Sequence, residues 1–213
     1  MDAILFDWDG TLVDSFEPLY RANLAVLASY GIEVDDAAYR RAYTPDWRQM
    51  YRALGVPADA IDESGRRWLV EYGMGDGASA FPGVDRALAR LVAAGYRLGL
   101  VTAGDRAVVA DQALRFGLDR FLPVRVHGDD LPVTKPHPRP LREALAGLGV
   151  SDPARAVYVG DVPDDMRMAR TVGARGIGIE SRLGSPAELR AAGASAVYPS
   201  VVDWVDAFLA GRG

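Results

Sequence analysis

The chain has 213 residues, of which 49% are apolar and 25% charged, and its formal net charge is −5. This composition is ordinary for a globular protein, and the length suffices for an α/β domain that carries a smaller one. The absence of cysteine excludes disulfides, thiolate catalysis and cysteine metal sites, and the negative charge argues against a nucleic-acid partner.

The first predicted element is a buried strand, because the apolar run Ala3-Ile4-Leu5-Phe6 precedes the turn residues Asp7-Trp8-Asp9-Gly10. A side-chain period of two places the carboxylates of Asp7 and Asp9 on one face where the strand ends. Like charges this close are costly unless a cation or a bound phosphoryl group balances them. A solvated Asp-Gly turn is the alternative interpretation of the same residues.

Residues 14–79 differ from the rest of the chain, since apolar residues recur there at helical spacing. With 7 arginines against 11 acidic residues and no lysine, this segment has a net charge of −4. We interpret it as an α-helical insertion, and residues 73–77 as the linker that returns the chain. Helices are predicted over residues 19–30, 36–43, 45–54 and 58–72.

From Phe81 onward, predicted strands and helices alternate, which indicates a parallel sheet with helices on both faces. The predicted fold class is therefore α/β with an inserted helical segment. Strands are predicted over residues 97–102, 124–127, 156–159, 176–179 and 196–198. Helices are predicted over residues 84–94, 106–116, 139–148, 164–172 and 186–192, with a terminal amphipathic helix from Val201.

Chemically useful side chains stand at the carboxyl ends of four of these strands, where parallel sheets bind their ligands. Each group alone has a simpler interpretation. Thr102 could be a helix N-cap, Lys135 a solvated loop charge, and Asp161 with Asp165 acids that cap a helix. Lys135 is the only lysine of the chain. His127 and His137 we interpret as structural or exposed. The four groups are Asp7 with Asp9, Thr102 with Ala103 and Gly104, Lys135 with Pro136, and Asp161 with Asp165.

Together these groups suit phosphoryl transfer through a covalent aspartyl-phosphate. A carboxylate can attack phosphorus, and a second carboxylate two residues on can protonate the leaving oxygen and then activate water. Mg²⁺ takes hard oxygen ligands and offsets the repulsion among acids and phosphate. A hydroxyl, turn amides at a helix N-terminus and a lysine can hold the phosphoryl oxygens.

The motifs resemble those of the haloacid dehalogenase superfamily, more narrowly its phosphoglycolate phosphatase-like branch. The likeness spans the whole chain and implies a Rossmann-like core domain over residues 1–13 and 80–213 with an α-helical cap domain over 14–79. The matching segments are Asp7-Trp8-Asp9-Gly10-Thr11-Leu12-Val13-Asp14-Ser15, Thr102, Lys135-Pro136 and Gly160-Asp161-Val162-Pro163-Asp164-Asp165.

The resemblance implies roles for the four acids. Asp7 would be the nucleophile and Asp9 the general acid and base. Mg²⁺ would bind the Asp7 carboxylate, the Asp9 backbone carbonyl and the Asp161 carboxylate. Asp165 would lie just outside the metal ligands.

The phosphoryl group would be held by Thr102, Lys135 and the backbone amide of Ala103, which stands where relatives often have serine or asparagine. Val162 replaces a residue that is polar in many relatives, which implies an altered environment next to the metal. Candidates for substrate contact in the predicted cap are Tyr43, Trp47, Arg48 and Arg52, and a solvated helix face is the alternative interpretation of these residues.

These residues favour a phosphatase that acts on a small phosphate monoester, such as phosphoglycolate or a sugar phosphate. Asp9 argues against a dehalogenase, and a cap without lysine argues against a Schiff-base phosphonatase. A phosphomutase of the β-phosphoglucomutase type and a catalytically silent binding protein on the same fold stay open.

The expected partner is a small phosphorylated metabolite. No apolar stretch approaches membrane-spanning length, and the N-terminus lacks the basic region of a signal peptide. We therefore expect a cytoplasmic protein with neither a membrane nor a nucleic-acid partner. The sequence leaves the oligomeric state open.

Overall fold

The computed structural model describes residues 2–74 and 77–211. Its main feature is a six-stranded parallel sheet, and two further short strands form a separate sheet. The strands are β1 Ala3–Phe6, β2 Val13–Asp14, β3 Ser79–Ala80, β4 Arg97–Val101, β5 Val124–Val126, β6 Ala156–Gly160, β7 Arg175–Ile179 and β8 Ala196–Tyr198. The order in the large sheet is β5-β4-β1-β6-β7-β8.

Ten helices accompany the strands within the described residues, together with three short 3₁₀ turns. They are α1 Phe16–Ala28, α2 Asp36–Ala42, α3 Trp47–Ala53, α4 Ile61–Met74, α5 Val84–Ala93, α6 Arg106–Arg115, α7 Arg139–Gly147, α8 Pro163–Val172, α9 Pro186–Ala192 and α10 Val201–Ala210. The sequence of strands and helices confirms the predicted α/β class.

Strand β1 lies at the centre of the sheet, and all four of its residues are completely buried. Leu5 belongs to a core cluster that includes Tyr158 of β6 and Leu141 of α7. The ring of Phe6 meets Trp204 of α10 edge to face, with 6.1 Å between centroids. Because helices cover both faces, the strand is a continuous apolar run without alternation.

The topology makes a crevice at the carboxyl end of β1. Strand β4, the next along the chain in this sheet, pairs with one edge of β1, and β6 pairs with the other. In such sheets the helices that follow the neighbouring strands lie on opposite faces, so that ligands bind where the strand order reverses. Asp7 is the first residue after β1 and therefore lies at this crevice.

The chain divides into two compact units, one of Met1–Asp14 with Ala80–Gly213 and one of Ser15–Ser79. Within the second unit, Asn23 of α1 donates to the Tyr39 hydroxyl over 3.0 Å and accepts from the Tyr51 hydroxyl over 2.8 Å. This buried polar network links three helices of the unit. The assignment of the second unit as a substrate cap stays a prediction.

Several helix ends differ from those predicted. Helix α1 begins at Phe16, three residues before the predicted start, because Pro18 lies in the first turn, where no amide hydrogen bond is required. It ends at Ala28 because the chain turns at Gly31, whose φ is +71°. Helix α4 begins at Ile61 after a 3₁₀ turn.

Two segments between the predicted elements also differ from the prediction. The pairing of β2 with β3 was not predicted, since two-residue strands carry no periodicity. Helix α4 extends through Met74, so the predicted linker over 73–77 is partly helical. Residues 75 and 76 of that linker lie outside the described residues.

Candidate active site

The strand register brings three of the predicted site residues to one edge of the sheet. Phe6 pairs with Leu100 of β4 and with Val159 of β6, so the chain positions that follow these residues meet at the carboxyl end of β1. The Asp7 amide donates to the Val159 carbonyl over 2.8 Å and continues the ladder by one step. The edge residues are Asp7, Thr102 and Asp161.

Lys135 reaches this edge from the loop between β5 and α7. Its ammonium nitrogen lies 2.7 Å from Asp7 Oδ1 and 2.9 Å from Asp165 Oδ1. The lysine side chain is 2% exposed, and the two carboxylates are 7% and 0% exposed. The sole lysine of the chain is thus a buried cation shared by two acids rather than a solvated loop charge.

Asp165 uses both carboxylate oxygens for contacts within the protein. Oδ2 accepts the backbone amides of Asp161, over 3.1 Å, and Val162, over 3.2 Å. Oδ1 accepts from Lys135. Asp165 is the third residue of α8, a position from which an acid commonly reaches back to the backbone amide of the residue before the helix. Its geometry suits a residue that holds Lys135 and the Asp161 backbone.

Tyr158 is a buried polar residue in the middle of β6 that sequence reasoning missed. Its hydroxyl donates to the Val101 carbonyl over 2.7 Å and lies 3.3 Å from Asp165 Oδ1. Val101 precedes Thr102, and β4 and β6 lie on opposite sides of β1. Tyr158 therefore links, across the central strand, the backbone before Thr102 to the acid that holds Lys135.

Burial shifts the pKa values of the clustered groups. It raises the pKa of Asp7, and the neighbouring Lys135 charge offsets only part of that rise. Burial and then the charges of Asp7 and Asp165 hold the pKa of Asp161 well above its usual value. Burial raises the pKa of Asp165 to about 6. Burial alone would lower the pKa of Lys135, but the charges of Asp165 and Asp7 outweigh it and raise the pKa.

The three acids fit a divalent metal ion. Oxygen atoms of Asp7, Asp161 and Asp165 lie within 4.8 Å of one another, and all three residues are buried. When ionised, they carry three negative charges against the single positive charge of Lys135, so a dication would balance the cluster. Carboxylate oxygens are the ligands that such hard cations prefer. The site can therefore hold a divalent metal.

Two glycines allow this close packing. A Cβ atom added at Gly10, whose φ is +74°, would lie 2.3 Å from Asp161 Oδ2. One added at Gly160 would lie 2.3 Å from Asp165 Oδ2. The Thr11 hydroxyl donates to Asp161 Oδ1 over 3.3 Å. The Asp161 carboxylate thus lies against the loop that follows Asp7.

The turn after β4 carries the predicted phosphate-binding residues. The hydroxyl of the buried Thr102 accepts the Gly104 amide over 2.9 Å. Gly128 packs on the same turn: its amide donates to the Gly104 carbonyl over 2.9 Å, and an added Cβ would lie 2.1 Å from the Ala103 carbonyl oxygen. The turn is therefore held in place by the loop that follows β5.

The first amides of α6 already have partners in the protein. Asp105 Oδ1 accepts the amides of Ala107, over 2.9 Å, and Val108, over 3.3 Å. Asp129 accepts the Arg106 amide over 2.9 Å. Anion binding through the N-terminus of this helix would have to displace these carboxylates. The groups left to bind a phosphoryl group are therefore Thr102 and the turn that it begins, which precedes α6.

Asp9 is half-buried and faces the same turn. A Cβ added at Gly104 would lie 3.4 Å from Asp9 Oδ2 and 3.3 Å from the Thr102 hydroxyl oxygen. The Asp9 carboxylate and the Thr102 hydroxyl therefore both lie against Gly104. This brings the second predicted catalytic acid to the predicted phosphate-binding turn.

The histidines have structural contacts. His127 is buried, and its Nδ1 lies 3.2 Å from Asp130 Oδ2, which also accepts the His127 amide over 2.9 Å. Burial lowers the pKa of His127 despite the nearby Asp130 charge. His137 Nδ1 accepts the Arg139 amide over 3.1 Å. Both arrangements match the structural interpretation.

The four residues predicted to contact substrate lie in the helical unit. The Arg48 guanidinium stacks over the Trp47 ring at 4.2 Å and lies 3.6 Å from Asp62. A Cβ added at Gly65 of α4 would lie 2.6 Å from the Trp47 ring. Trp47 is therefore tightly packed against α4, and substrate contact by these residues, with Tyr43 and Arg52, stays a prediction.

Comparison with known proteins assigns the family. A family model described as haloacid dehalogenase-like hydrolase matches residues 4–179. The chain belongs to the haloacid dehalogenase-like hydrolase family. Within this family, the phosphoglycolate phosphatase of Yersinia pestis is 31% identical over 195 residues, which cover 83% of this chain and 79% of that protein. A phosphoglycolate phosphatase of Cupriavidus necator is 35% identical over 179 residues, which cover 80% and 77%.

A solved structure of the same fold is CbbY from Rhodobacter sphaeroides in complex with phosphate. It is 27% identical to this haloacid dehalogenase-like chain, with a TM-score of 0.78 and coverage of 95% of this chain and 96% of that one. The comparisons support the phosphoglycolate phosphatase-like branch and an enzyme that hydrolyses phosphoric monoesters. No helix in the described parts of the chain is long and apolar enough to cross a membrane.

Proposed function

We propose that this chain is a Mg²⁺-dependent phosphatase that hydrolyses a small phosphate monoester through an aspartyl-phosphate on Asp7. The observation that carries the proposal is the contact of Lys135 with Asp7 and Asp165, with Asp161 in the same buried cluster. A lysine held against a carboxylate at a sheet edge can neutralise a phosphoryl oxygen where that carboxylate attacks phosphorus.

The protein residues act in two steps. In the first step an Asp7 carboxylate oxygen bonds to phosphorus, the bond to the leaving oxygen breaks, and Asp9 gives its proton to that oxygen. In the second step Asp9 takes a proton from a water molecule that attacks phosphorus, which releases phosphate and frees Asp7. Lys135, the Thr102 hydroxyl and the Ala103 amide hold the phosphoryl oxygens through both steps.

The Asp7 and Asp161 carboxylates, with the Asp9 backbone carbonyl, would hold Mg²⁺. When bound, the metal would offset the negative charge of the acids and the phosphoryl group. Asp165 would stay outside the ligands, since its oxygens accept from Lys135 and from the amides of Asp161 and Val162.

For the substrate we propose a small phosphorylated metabolite, with 2-phosphoglycolate as the first candidate. Two relatives named phosphoglycolate phosphatase support this choice, at 31% and 35% identity. The phosphate in the CbbY structure supports the same class of ligand.

A panel of phosphorylated metabolites compared by kcat/KM tests this function. We expect phosphate release from p-nitrophenyl phosphate and, with higher kcat/KM, from 2-phosphoglycolate. Release should stop with a chelator and return with added Mg²⁺. A protein that turns over no member of the panel with any divalent metal would contradict the proposal.

A further inference from the structure

The residue between the two aspartates is tied to a distant helix. Trp8 is completely buried, and its indole N–H donates to Oε1 of Gln112 over 2.7 Å. Gln112 lies in α6 and is 3% exposed. A buried side-chain amide or indole N–H costs free energy unless it is hydrogen bonded, so each of the two side chains depends on the other. The bond holds the loop that carries both aspartates against α6.

The Trp8 backbone is fixed as well. Its carbonyl accepts the amides of Thr11, Leu12 and Val13 over 3.3, 2.9 and 3.1 Å, and the Gly10 amide donates to the Val13 carbonyl over 2.8 Å. Asp9 stands between Trp8 and Gly10 within this turn. A shift of Trp8 would therefore move Asp9 with it.

The helix that holds Trp8 also begins at the predicted phosphate-binding turn. Helix α6 starts at Arg106, two residues after Gly104, against which the Asp9 carboxylate lies. Asp105 caps the helix and joins it to that turn. The bond between Trp8 and Gln112 thus attaches the Asp9 loop to the helix that directly follows the turn of Thr102 and Ala103.

We infer that Trp8 and Gln112 are positioning residues that set the distance between the Asp9 carboxyl group and the phosphate-binding turn. The inference rests on the proposed function, in which Asp9 protonates the leaving oxygen. The Asp7 oxygen bonds to phosphorus while the ester bond breaks. The Asp9 carboxyl group must therefore already lie within hydrogen-bond distance of the leaving oxygen when that bond breaks.

The leaving group separates this role from a purely structural one. An alkoxide such as that of glycolate needs a proton in order to leave, whereas nitrophenolate leaves without one. A misplaced Asp9 therefore slows the first step for alkyl esters more than for p-nitrophenyl phosphate. The ratio kcat/KM reports this step, whereas kcat also includes hydrolysis of the aspartyl-phosphate.

The experiment measures kcat/KM for 2-phosphoglycolate and p-nitrophenyl phosphate in Trp8→Phe, Gln112→Met and the double variant. Asp9→Asn is the reference, and Trp204→Phe, which loses a buried indole in α10, is the matched control. We expect each single variant to lose about tenfold for 2-phosphoglycolate and less than about threefold for p-nitrophenyl phosphate. The double variant should lose no more than either single one, because all three lack the same bond.

Equal losses for the two substrates, or losses that multiply in the double variant, would overturn the inference. Selective loss in Trp204→Phe would overturn it too, because that indole lies outside the pair. If Asp9→Asn is selective but Trp8→Phe and Gln112→Met are not, the inference fails and the proposed function stands. If Asp9→Asn is not selective, the role given to Asp9 fails and the inference fails with it.

Discussion

The ammonium group of Lys135 lies 2.7 Å from the carboxylate of Asp7, and both side chains are buried. A buried charge needs an opposite charge at hydrogen-bond distance, or the folded state loses stability. The same contact brings a cation to the position at which a phosphoryl group would meet Asp7. Stability and the proposed chemistry therefore depend on the same pair.

Lys135→Met should remove activity and also destabilise the protein. We expect a loss of about 3 kcal/mol in the free energy of unfolding, because Asp7 and Asp165 lose their buried counter-charge. Urea denaturation measures the loss. Arg155→Met is the control: it breaks the exposed pair of Arg155 with Asp2 and should change stability far less. Equal losses in the two variants would contradict the prediction.

Asp161→Asn should stabilise the metal-free protein while it abolishes activity. The raised pKa of Asp161 means that its ionised form costs the folded state free energy, so we expect a gain of about 1 kcal/mol at pH 8. The gain should fade as the pH drops and vanish below about pH 3, where the acid is protonated in both the folded and unfolded states.

Thermal unfolding with a chelator and with Mg²⁺ measures both parts of this prediction. The unsubstituted protein should gain stability on Mg²⁺ addition, and Asp161→Asn should not. Asp111→Asn, which changes an exposed acid of α6, should keep the metal response. A metal response in Asp161→Asn equal to that of the unsubstituted protein would exclude Asp161 as a ligand.

Gly10→Ala should lower activity by about 100-fold, because the added Cβ would displace the Asp161 carboxylate from its place beside the loop. Gly117→Ala is a matched control, since Gly117 has a φ of +66° and an added Cβ would meet no atom within 4 Å. Both variants carry backbone strain of about 1 kcal/mol. Only Gly10→Ala should lose kcat/KM, and a similar loss in Gly117→Ala would assign the effect to strain.

Tyr158→Phe should weaken phosphate binding as well as stability. It leaves the buried Val101 carbonyl without the hydroxyl that donates to it, at a cost of about 1–3 kcal/mol. Because Val101 precedes Thr102, we expect the inhibition constant of inorganic phosphate to rise. Tyr51→Phe, which loses a buried hydroxyl bonded to Asn23, should lose stability alone. An unchanged inhibition constant in Tyr158→Phe would contradict the link to Thr102.

The edge of the sheet could be predicted from sequence because each residue there follows a strand directly. Asp7, Thr102 and Asp161 need only the order of strands and the rule that parallel strands present their carboxyl ends together. The structure places them as that rule requires, and it adds Lys135 from a loop.

The supporting contacts could not be predicted, because tertiary packing sets them. Trp8 and Gln112 are 104 positions apart, and Tyr158 reaches across β1 to a residue 57 positions away. Their signal in the sequence was weak: one glutamine in a helix and one tyrosine in an otherwise apolar strand. The Asp129 carboxylate that accepts the Arg106 amide could not be predicted for the same reason, since it comes from the loop after β5.

The most direct test of the account is to trap the phosphorylated residue. The enzyme is quenched in acid during turnover of 2-phosphoglycolate or p-nitrophenyl phosphate that carries a radiolabelled phosphoryl group. The protein is then digested, and the labelled peptide is identified. We predict an alkali-labile label on Asp7 that is absent in Asp7→Asn and that accumulates in Asp9→Asn with p-nitrophenyl phosphate, whose leaving group needs no proton. Turnover without any label, or a label on another residue, would contradict the assignment of Asp7 as the nucleophile.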